Sequence, residues 1–401
     1  MTRVDEQFDL LAAGAVDLIS EAELRRKLSS GRPLRAKLGL DPSRPDIHIG
    51  HAVVLRRLRD FQELGHTAVL IVGDFTAQVG DPSGRSSTRP ALTRQEADEN
   101  AATYFEQAQR VLLPENLEIR YNSEWLGSMG IDDVLRLTAR STVARMLERD
   151  DFAKRYAAGE PISVMELLYP LLQAWDSVMV EADVELGGTD QLFNFLAARP
   201  IMQQEGQEPQ VVLTMPLLVG LDGKQKMSKS LDNYVGITEA PGPQYGKVMS
   251  LPDETMPEYF TLTTGWPAAR VAETLGDLEA GRLTARDAKR LLARTVVDLY
   301  HGDDAGATAE GEFDRVFRAH EAPSDVPEVR IPAPRIRVAT LLRHAFPDVV
   351  TSNNEGRRKI VQGGVRLDGE EVTDGDLEVD AAAVDGKLLQ LGRRNWARLR
   401  K

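Results

Sequence analysis

The sequence predicts an α/β protein, built from a parallel sheet with flanking helices, then an α-helical region, then a small α+β module. Three observations lead there. Two short apolar, β-rich runs at residues 35–41 and 67–74 are joined by a stretch with helical spacing. Residues 236 to about 320 are helical and polar in pattern, and residues 335–401 combine two short helical segments with a hairpin turn.

Taken in order, residues 1–32 are expected as a helical segment. Their opening, MTRVDEQFDLLAAG, mixes acidic with apolar residues and lacks the basic start, long apolar core and small-residue cleavage site of a secretory signal, so a cytoplasmic setting is expected. The runs that stop at Asp41-Pro42 and at Gly73-Asp74 read as buried parallel strands. Between them, HAVVLRRLRDFQELG places Val54, Leu58, Phe61 and Leu64 at helical spacing with Gly65 as the residue after the helix, completing a βαβ unit. Thr93 with Glu96 and Ser163 with Glu166 form capping boxes that open two more helices. Residues 213–235 hold Gly220, Gly223 and a cluster of lysines and serines, the composition of a mobile loop. Residues 322–334 carry four prolines in thirteen positions and read as a stiff, solvated linker. Beyond it, VATLLRHAF and EGRRKIVQGG suggest helices, and Asp368-Gly369 within VRLDGEEV marks a tight hairpin.

Composition removes whole classes of function. With no cysteine, disulfides, thiolate metal sites and a cysteine nucleophile are excluded, and the scattered histidines His66, His301, His320 and His344 show no metal-ligand spacing. No window approaches the roughly 20 apolar residues that span a bilayer. The net charge of −13 argues against indiscriminate coating of nucleic acid, but the charge is uneven: residues 331–401 hold 13 Lys and Arg against 10 Asp and Glu, whereas the whole chain holds 49 against 62.

The chemistry-bearing residues fall into three groups. His48-Ile49-Gly50-His51 sits where a strand hands over to a helix, so a helix amino terminus and two imidazoles face one place, and Gly50 allows a ligand to approach the backbone. A pair of surface histidines is the alternative. Lys226-Met227-Ser228-Lys229-Ser230, in a glycine-flanked loop, suits a second polyphosphate clamp, against the alternative of a solvated charge run. In MELLYPLLQAWDSVMV, an apolar helix is interrupted by Tyr169, Gln173 and Asp176 at spacings of four and three, which puts the three on one face. A buried stripe of this kind needs partners, because an unpaired carboxylate is costly.

The first two motifs, unaltered and in this order, resemble the HIGH and KMSKS signatures of the class I aminoacyl-tRNA synthetases. The stripe-bearing helix, Gly80-Asp81-Pro82-Ser83-Gly84 and Gly187-Gly188-Thr189-Asp190-Gln191 resemble the bacterial tyrosyl-tRNA synthetases, and the end of the chain is similar to the S4 RNA-binding domain. The resemblance covers nearly the whole chain. It implies a Rossmann-like catalytic domain over residues 33–225, with an insertion at about 115–200 that makes a homodimer contact. It also implies the KMSKS loop and an α-helical anticodon-binding domain over 226–321, and an S4-like domain over 335–401. It implies ATP and L-tyrosine as substrates, magnesium on the departing pyrophosphate, tRNA(Tyr) as acceptor, and no membrane partner.

Residue by residue, the resemblance puts Thr76, Asp81, Tyr169, Gln173 and Gln191 around the amino acid's ammonium group or ring, with Asp176 at the phenol. Asp41 and Ser43 would lie beside ATP, Gly39, Gly188 and Asp190 at its ribose, and Arg85 and Arg89 at the pyrophosphate. His48, Gly50, His51, Lys226 and Lys229 would grip the phosphates, with His48, His51, Lys226 and Lys229 as the catalytic donors. Many bacterial members carry a tyrosine where this chain has Lys37. A subgroup carries lysine, and Lys37 is expected either beside the phenol or paired with Asp176 or Asp74. Arg357, Arg358 and Lys359 cluster on a helix of the tail as RNA contacts, with a solvated helix face as the alternative.

The implied reaction requires no protein nucleophile, since the tyrosine carboxylate is already ionised at neutral pH and attacks the α-phosphorus itself. The needs are alignment and charge stabilisation. Ser83 reads as a turn residue, because the hydrolase elbow is G-x-S-x-G and here the serine is one place late. Three rivals stay open on the residues: a tryptophanyl-tRNA synthetase, which would not need Asp176 opposite a phenol; a non-catalytic RNA-binding paralogue; and a small-cofactor nucleotidyltransferase with a similar H-x-G-H loop.

Overall fold

The two apolar runs form adjacent strands because both of their faces are covered. β2 (Arg35–Leu40) and β3 (Thr67–Val72) pair in parallel from Arg35 opposite Thr67 to Leu40 opposite Val72, and every residue of β3 after Thr67 is buried. The helix Ile49–Glu63 connects them, burying Ile49, Ala52, Val53, Leu55, Leu58 and Phe61, and Gly65 at φ +84° turns the chain out of it. Local side-chain spacing is thus enough to set one crossover unit.

The computed structural model of the chain describes residues 3–42, 46–83, 92–319, 321–323, 325–392 and 395–401. It divides into two units, Met1–Gly302 and Asp303–Lys401. In the first unit the sheet has six strands in the order β1-β6-β5-β2-β3-β4, with β1 Asp17–Ile19, β4 Leu117–Tyr121, β5 Val184–Gly188 and β6 Val211–Met215. All neighbours are parallel except β1, which runs antiparallel to β6 at the edge. The segment 1–32, expected as helical, therefore also contributes an edge strand between its helices Arg3–Ala12 and Glu21–Ser29.

Chain order reverses between β2 and β5, and the crevice above the carboxyl ends of two such strands is where open parallel sheets hold ligands. Both expected capping boxes are present, Thr93 with Glu96 and Ser163 with Glu166, and the second opens the helix Val164–Met179. Helices Pro241–Met249, Met256–Thr263, Ala268–Glu279 and Ala285–His301 follow the sheet.

The second unit folds around Val338, Leu341, Leu342, Val350, Ile360, Val365, Leu389 and Leu399. Its helices Val338–Ala345 and Asn353–Val361 fall where expected. The Asp368-Gly369 turn takes positive φ at both residues (+54° and +86°) and joins β9 (Val365–Leu367) to β10 (Glu370–Glu371). The proline-rich stretch 322–334 departs from the expected linker. Its Glu328–Arg330 forms β7, which pairs in parallel with the final strand β13 (Asn395–Arg400), and Ile331 N–H donates to the Arg400 carbonyl. Prolines flanking a three-residue strand at a sheet edge cost it no ladder bond, which is why the composition misled.

Candidate active site

A cavity of about 670 Å³ opens over the β2/β5 switch point. Gly39 and Asp41 reach it from the end of β2, Thr76 and Asp81 from beyond β3, Tyr169, Gln173 and Asp176 from the Val164–Met179 helix, and Gly188, Asp190 and Gln191 from beyond β5. His48, Gly50, His51 and Lys226 line the same space. Lys229 stands at its margin, its ammonium 5.4 Å from the ring centroid of the lining residue Tyr104. The three motif groups, far apart in sequence, meet in one cleft. Ser43, Arg85, Arg89 and the Gly84 of the GDPSG stretch lie outside the described residues.

At the end of the cleft where the helix Ile49–Glu63 begins, the imidazoles of His48 and His51 stack with centroids 3.7 Å apart. His51 Nδ1 accepts the His48 backbone N–H at 3.3 Å, which leaves the His51 proton on Nε2. Burial, helped by the charges of Lys229 and Lys226, lowers His51 to about 3 and holds His48 well below its ordinary value, so both rings are neutral donors.

The first clamp is tied to the second by backbone. Ile49 N–H donates to the Val235 carbonyl and Ile237 N–H to that of Ile47, bracketing a bridge between His48 and Gly236. A Cβ on Gly50 would come within 3.0 Å of the His48 ring and 3.6 Å of Met227. The loop expected to be mobile has a fastened root: Asn233 accepts from the Ser228 N–H at 2.8 Å and donates to Asp222 and to the Lys226 carbonyl. Lys226 itself reaches Asp190 at 3.0 Å.

At the other end, Asp41 receives Tyr169 Oη at 2.9 Å and Thr76 Oγ1 at 2.7 Å. Burial, then the neighbouring Asp41 and Asp81 carboxylates, hold the Tyr169 phenol protonated and so a donor. Gln191 donates to Asp81 at 2.8 Å, and Gln173 and Gln191 both accept from Asn194. Asp176 is 4% exposed and accepts from Trp125 Nε1 at 2.8 Å and Asn122 Nδ2 at 3.2 Å. Burial raises its carboxyl from 3.8 to about 6, opposed chiefly by the charge of Lys37. An acid so placed is ionised at neutral pH and loses that charge in mildly acidic solution.

Lys37 pairs with neither Asp176 nor Asp74. Fully buried and outside the cavity lining, its ammonium is 2.8 Å from Glu185, 2.7 Å from Ser177 Oγ and 3.1 Å from the Gln173 carbonyl. β2 points residue 37 to the side of the sheet where Glu185, its register partner on β5, also points.

Sequence reasoning missed Trp125, Asn122, Glu185 and Arg149, whose guanidinium meets Ser83 at 2.6 Å and Asn194 at 3.0 Å. Asn122 follows β4 directly, and the rule that parallel sheets place ligands at strand ends would have found it. Arg149 left no such signal.

In the second unit, Arg357, Arg358 and Lys359 share the helix Asn353–Val361, with Arg357 paired to Asp376 at 2.5 Å and Arg358 to Glu355 at 3.3 Å. Two of the three expected RNA contacts are thus partly neutralised within their own unit.

A parallel sheet whose switch point carries a cavity lined by a histidine pair at a helix start and by a lysine-bearing loop defines a class I synthetase catalytic domain. The chain belongs to the family described as tRNA synthetases class I (W and Y), whose model matches residues 29–318. It is 50% identical over 400 residues to the tyrosine–tRNA ligase of Moorella thermoacetica, spanning 99% of this chain and 96% of that one. The tyrosine–tRNA ligase of Salinibacter ruber is 51% identical over 405 residues, spanning 99% and 97%. The tyrosyl-tRNA synthetase of Archaeoglobus fulgidus, solved with L-tyrosine, has the same fold, with a TM-score of 0.64 at 24% identity over 76% of this chain and 99% of that one.

Proposed function

We propose that this chain activates L-tyrosine with ATP and passes the tyrosyl group to the 3′ end of tRNA(Tyr). One observation carries the amino-acid assignment: a carboxylate, Asp176, lines the cavity while almost wholly buried, with an indole N–H and an amide holding it in place. It is set to accept a phenolic O–H. Phenylalanine would bring no hydroxyl to that buried carboxylate, leaving it with the Trp125 and Asn122 donors alone, and indole chemistry would not require it.

The chemistry follows from the two ends. Asp81, Tyr169, Gln173 and Gln191 surround the tyrosine ammonium, leaving its carboxylate free to attack the α-phosphorus. That bond forms as the bond to pyrophosphate breaks, and the developing charge falls to His48 and His51 as neutral donors and to Lys226 and Lys229 as cations. Magnesium enters as part of the nucleotide substrate. Lys226 must leave Asp190 to reach phosphate, so the nucleotide's arrival releases an internal ion pair. Gly39, Gly188 and Asp190 remain for the ribose. A tRNA ribose hydroxyl then displaces AMP from the mixed anhydride.

Two partner readings accompany this. The segment about 115–200 exposes Ile131, Leu135, Val143, Tyr156, Val164 and Met165, an apolar surface of the kind a second copy of the chain covers, and a homodimer is the reading it supports. The basic tail, with Arg357, Arg358 and Lys359, is read as an RNA grip. The deciding test is pyrophosphate exchange with tyrosine, tryptophan and phenylalanine in turn. Exchange driven by tyrosine alone is expected, and exchange driven by tryptophan would overturn the assignment.

A further inference from the structure

Beneath the phenol end of the cavity lies a buried ion pair that the reaction as described does not use. Lys37 and Glu185 stand opposite each other on β2 and β5, both essentially without solvent exposure. The Lys37 ammonium donates to the Gln173 carbonyl and to Ser177 Oγ, the residues three before and one after Asp176 on the same helix. Glu185 gathers what is left: Gln173 Nε2 at 3.2 Å, Ser177 Oγ at 3.2 Å and Gln210 Nε2. The pair therefore grips the turn that presents Asp176, from outside the cavity lining.

We propose that Lys37 is a positioning residue for tyrosine specificity: held by Glu185, it fixes the helix turn that carries Asp176 and supplies the positive charge against which that carboxylate stays anionic. The geometry gives the two partners opposite effects. Lys37 attracts the Asp176 charge, pulling its carboxyl down against the effect of burial, and Glu185 repels it and pushes it up. The groups that hydrogen-bond the carboxylate, Trp125 and Asn122, are neutral, and Thr76 bonds to the same Asn122. Asp41 and Asp81 bear on Tyr169 in the same cavity, and Arg149 lies 3.7 Å from Asp81, whereas Lys37 is the cation whose charge acts on Asp176.

The inference rests on the reading of Asp176 as the phenol acceptor, and the experiment separates the two. Exchange with tyrosine and with phenylalanine is measured against pH for the full-length chain, Asp176→Asn, Lys37→Met, Glu185→Gln, and Lys37→Met with Glu185→Gln together. In the unaltered chain kcat/KM for tyrosine should rise with pH through a midpoint near 6. Lys37→Met should move that midpoint up by about one pH unit or more, Glu185→Gln should move it down, and the double variant should lie above the unaltered chain but below Lys37→Met. Phenylalanine, with no hydroxyl, should show none of these shifts. If Lys37→Met does not fold, the other two variants still decide, because removing both members of a buried pair is tolerated better than removing one. A brace with no electrostatic role would lower kcat/KM in each variant and leave the midpoint in place, which overturns the inference. If tyrosine kinetics survive Asp176→Asn unchanged, the phenol reading falls and this inference with it.

Discussion

Replacing Asp176 by asparagine changes one oxygen to an amide N–H₂ while keeping the shape of the site. In the native pocket both carboxylate oxygens already accept, one from Trp125 Nε1 at 2.8 Å and one from Asn122 Nδ2 at 3.2 Å. The variant amide can satisfy one of these donors with its remaining oxygen. Its nitrogen then faces the other donor, and the phenolic O–H loses a charged acceptor. A hydrogen bond to a charged group contributes about 1.5–3 kcal/mol, so kcat/KM for tyrosine should fall about 10- to 150-fold. Phenylalanine has no hydroxyl to lose, and its kcat/KM should change by less than about threefold, so discrimination collapses by nearly the whole factor. The pH response adds a signature. Because burial lifts Asp176 to about 6, the native enzyme should lose tyrosine activity as pH falls through that value, while the asparagine variant is flat there. Exchange assays with both amino acids give all of these numbers. An unchanged ratio of tyrosine to phenylalanine activity would refute the assignment of Asp176.

Other expectations concern the rest of the molecule. His48 and His51 should add no inflection near 6.5 to the KM for ATP beyond that of the nucleotide's own terminal phosphate, since His51 titrates near 3 and His48 is depressed as well; an inflection that His48→Asn removes would show a charged imidazole in the clamp. His48→Ala and Lys229→Ala should lower the single-turnover rate of adenylate formation at least tenfold while changing tyrosine affinity little, as transition-state contacts do. Asn233→Ala unfastens the root of the lysine loop and should act in the same way, an effect absent if the loop is fixed by other means. A chain ending at Gly302, the boundary of the first unit, should keep tyrosine-dependent exchange but charge tRNA poorly, and its tRNA binding should weaken less steeply with salt than that of the whole chain. Ile131→Glu with Val143→Glu should shift the sedimenting species from dimer to monomer.

The cut at Gly302 replaces one that the sequence alone would have put after Pro334, and the difference shows what is legible in a sequence. Whatever depends on spacing within about ten residues could be read directly: the helix between β2 and β3, the two capping boxes, the Asp368-Gly369 hairpin, the stripe of Tyr169, Gln173 and Asp176. Motifs with fixed chemistry were equally plain. Partnerships across the fold were not. Lys37 is 148 positions from Glu185, and at the level of sequence Asp176 and Asp74 were equal claimants for its charge. Trp125 and Asn122 acquire meaning once β4 sets them beside the helix of Asp176. The three residues of β7 have no strand-like pattern of their own and exist as a strand because β13, at the far end of the chain, offers them an edge.

The short bridge between His48 and Gly236 also bears on how the enzyme is made. The backbone that frames the first histidine is supplied by a segment translated long after the strand that precedes it. A nascent chain released from the ribosome before Ile237 can pair β2 with β3 but has nothing to close the mouth above them, so nucleotide affinity should switch on late and all at once. Contacts of such long sequence separation are entropically slow to form, yet all six strands of the sheet end by Met215, so the sheet can complete its ladder before this bridge is made. The late step is therefore the framing of the cleft and not the assembly of the sheet beneath it.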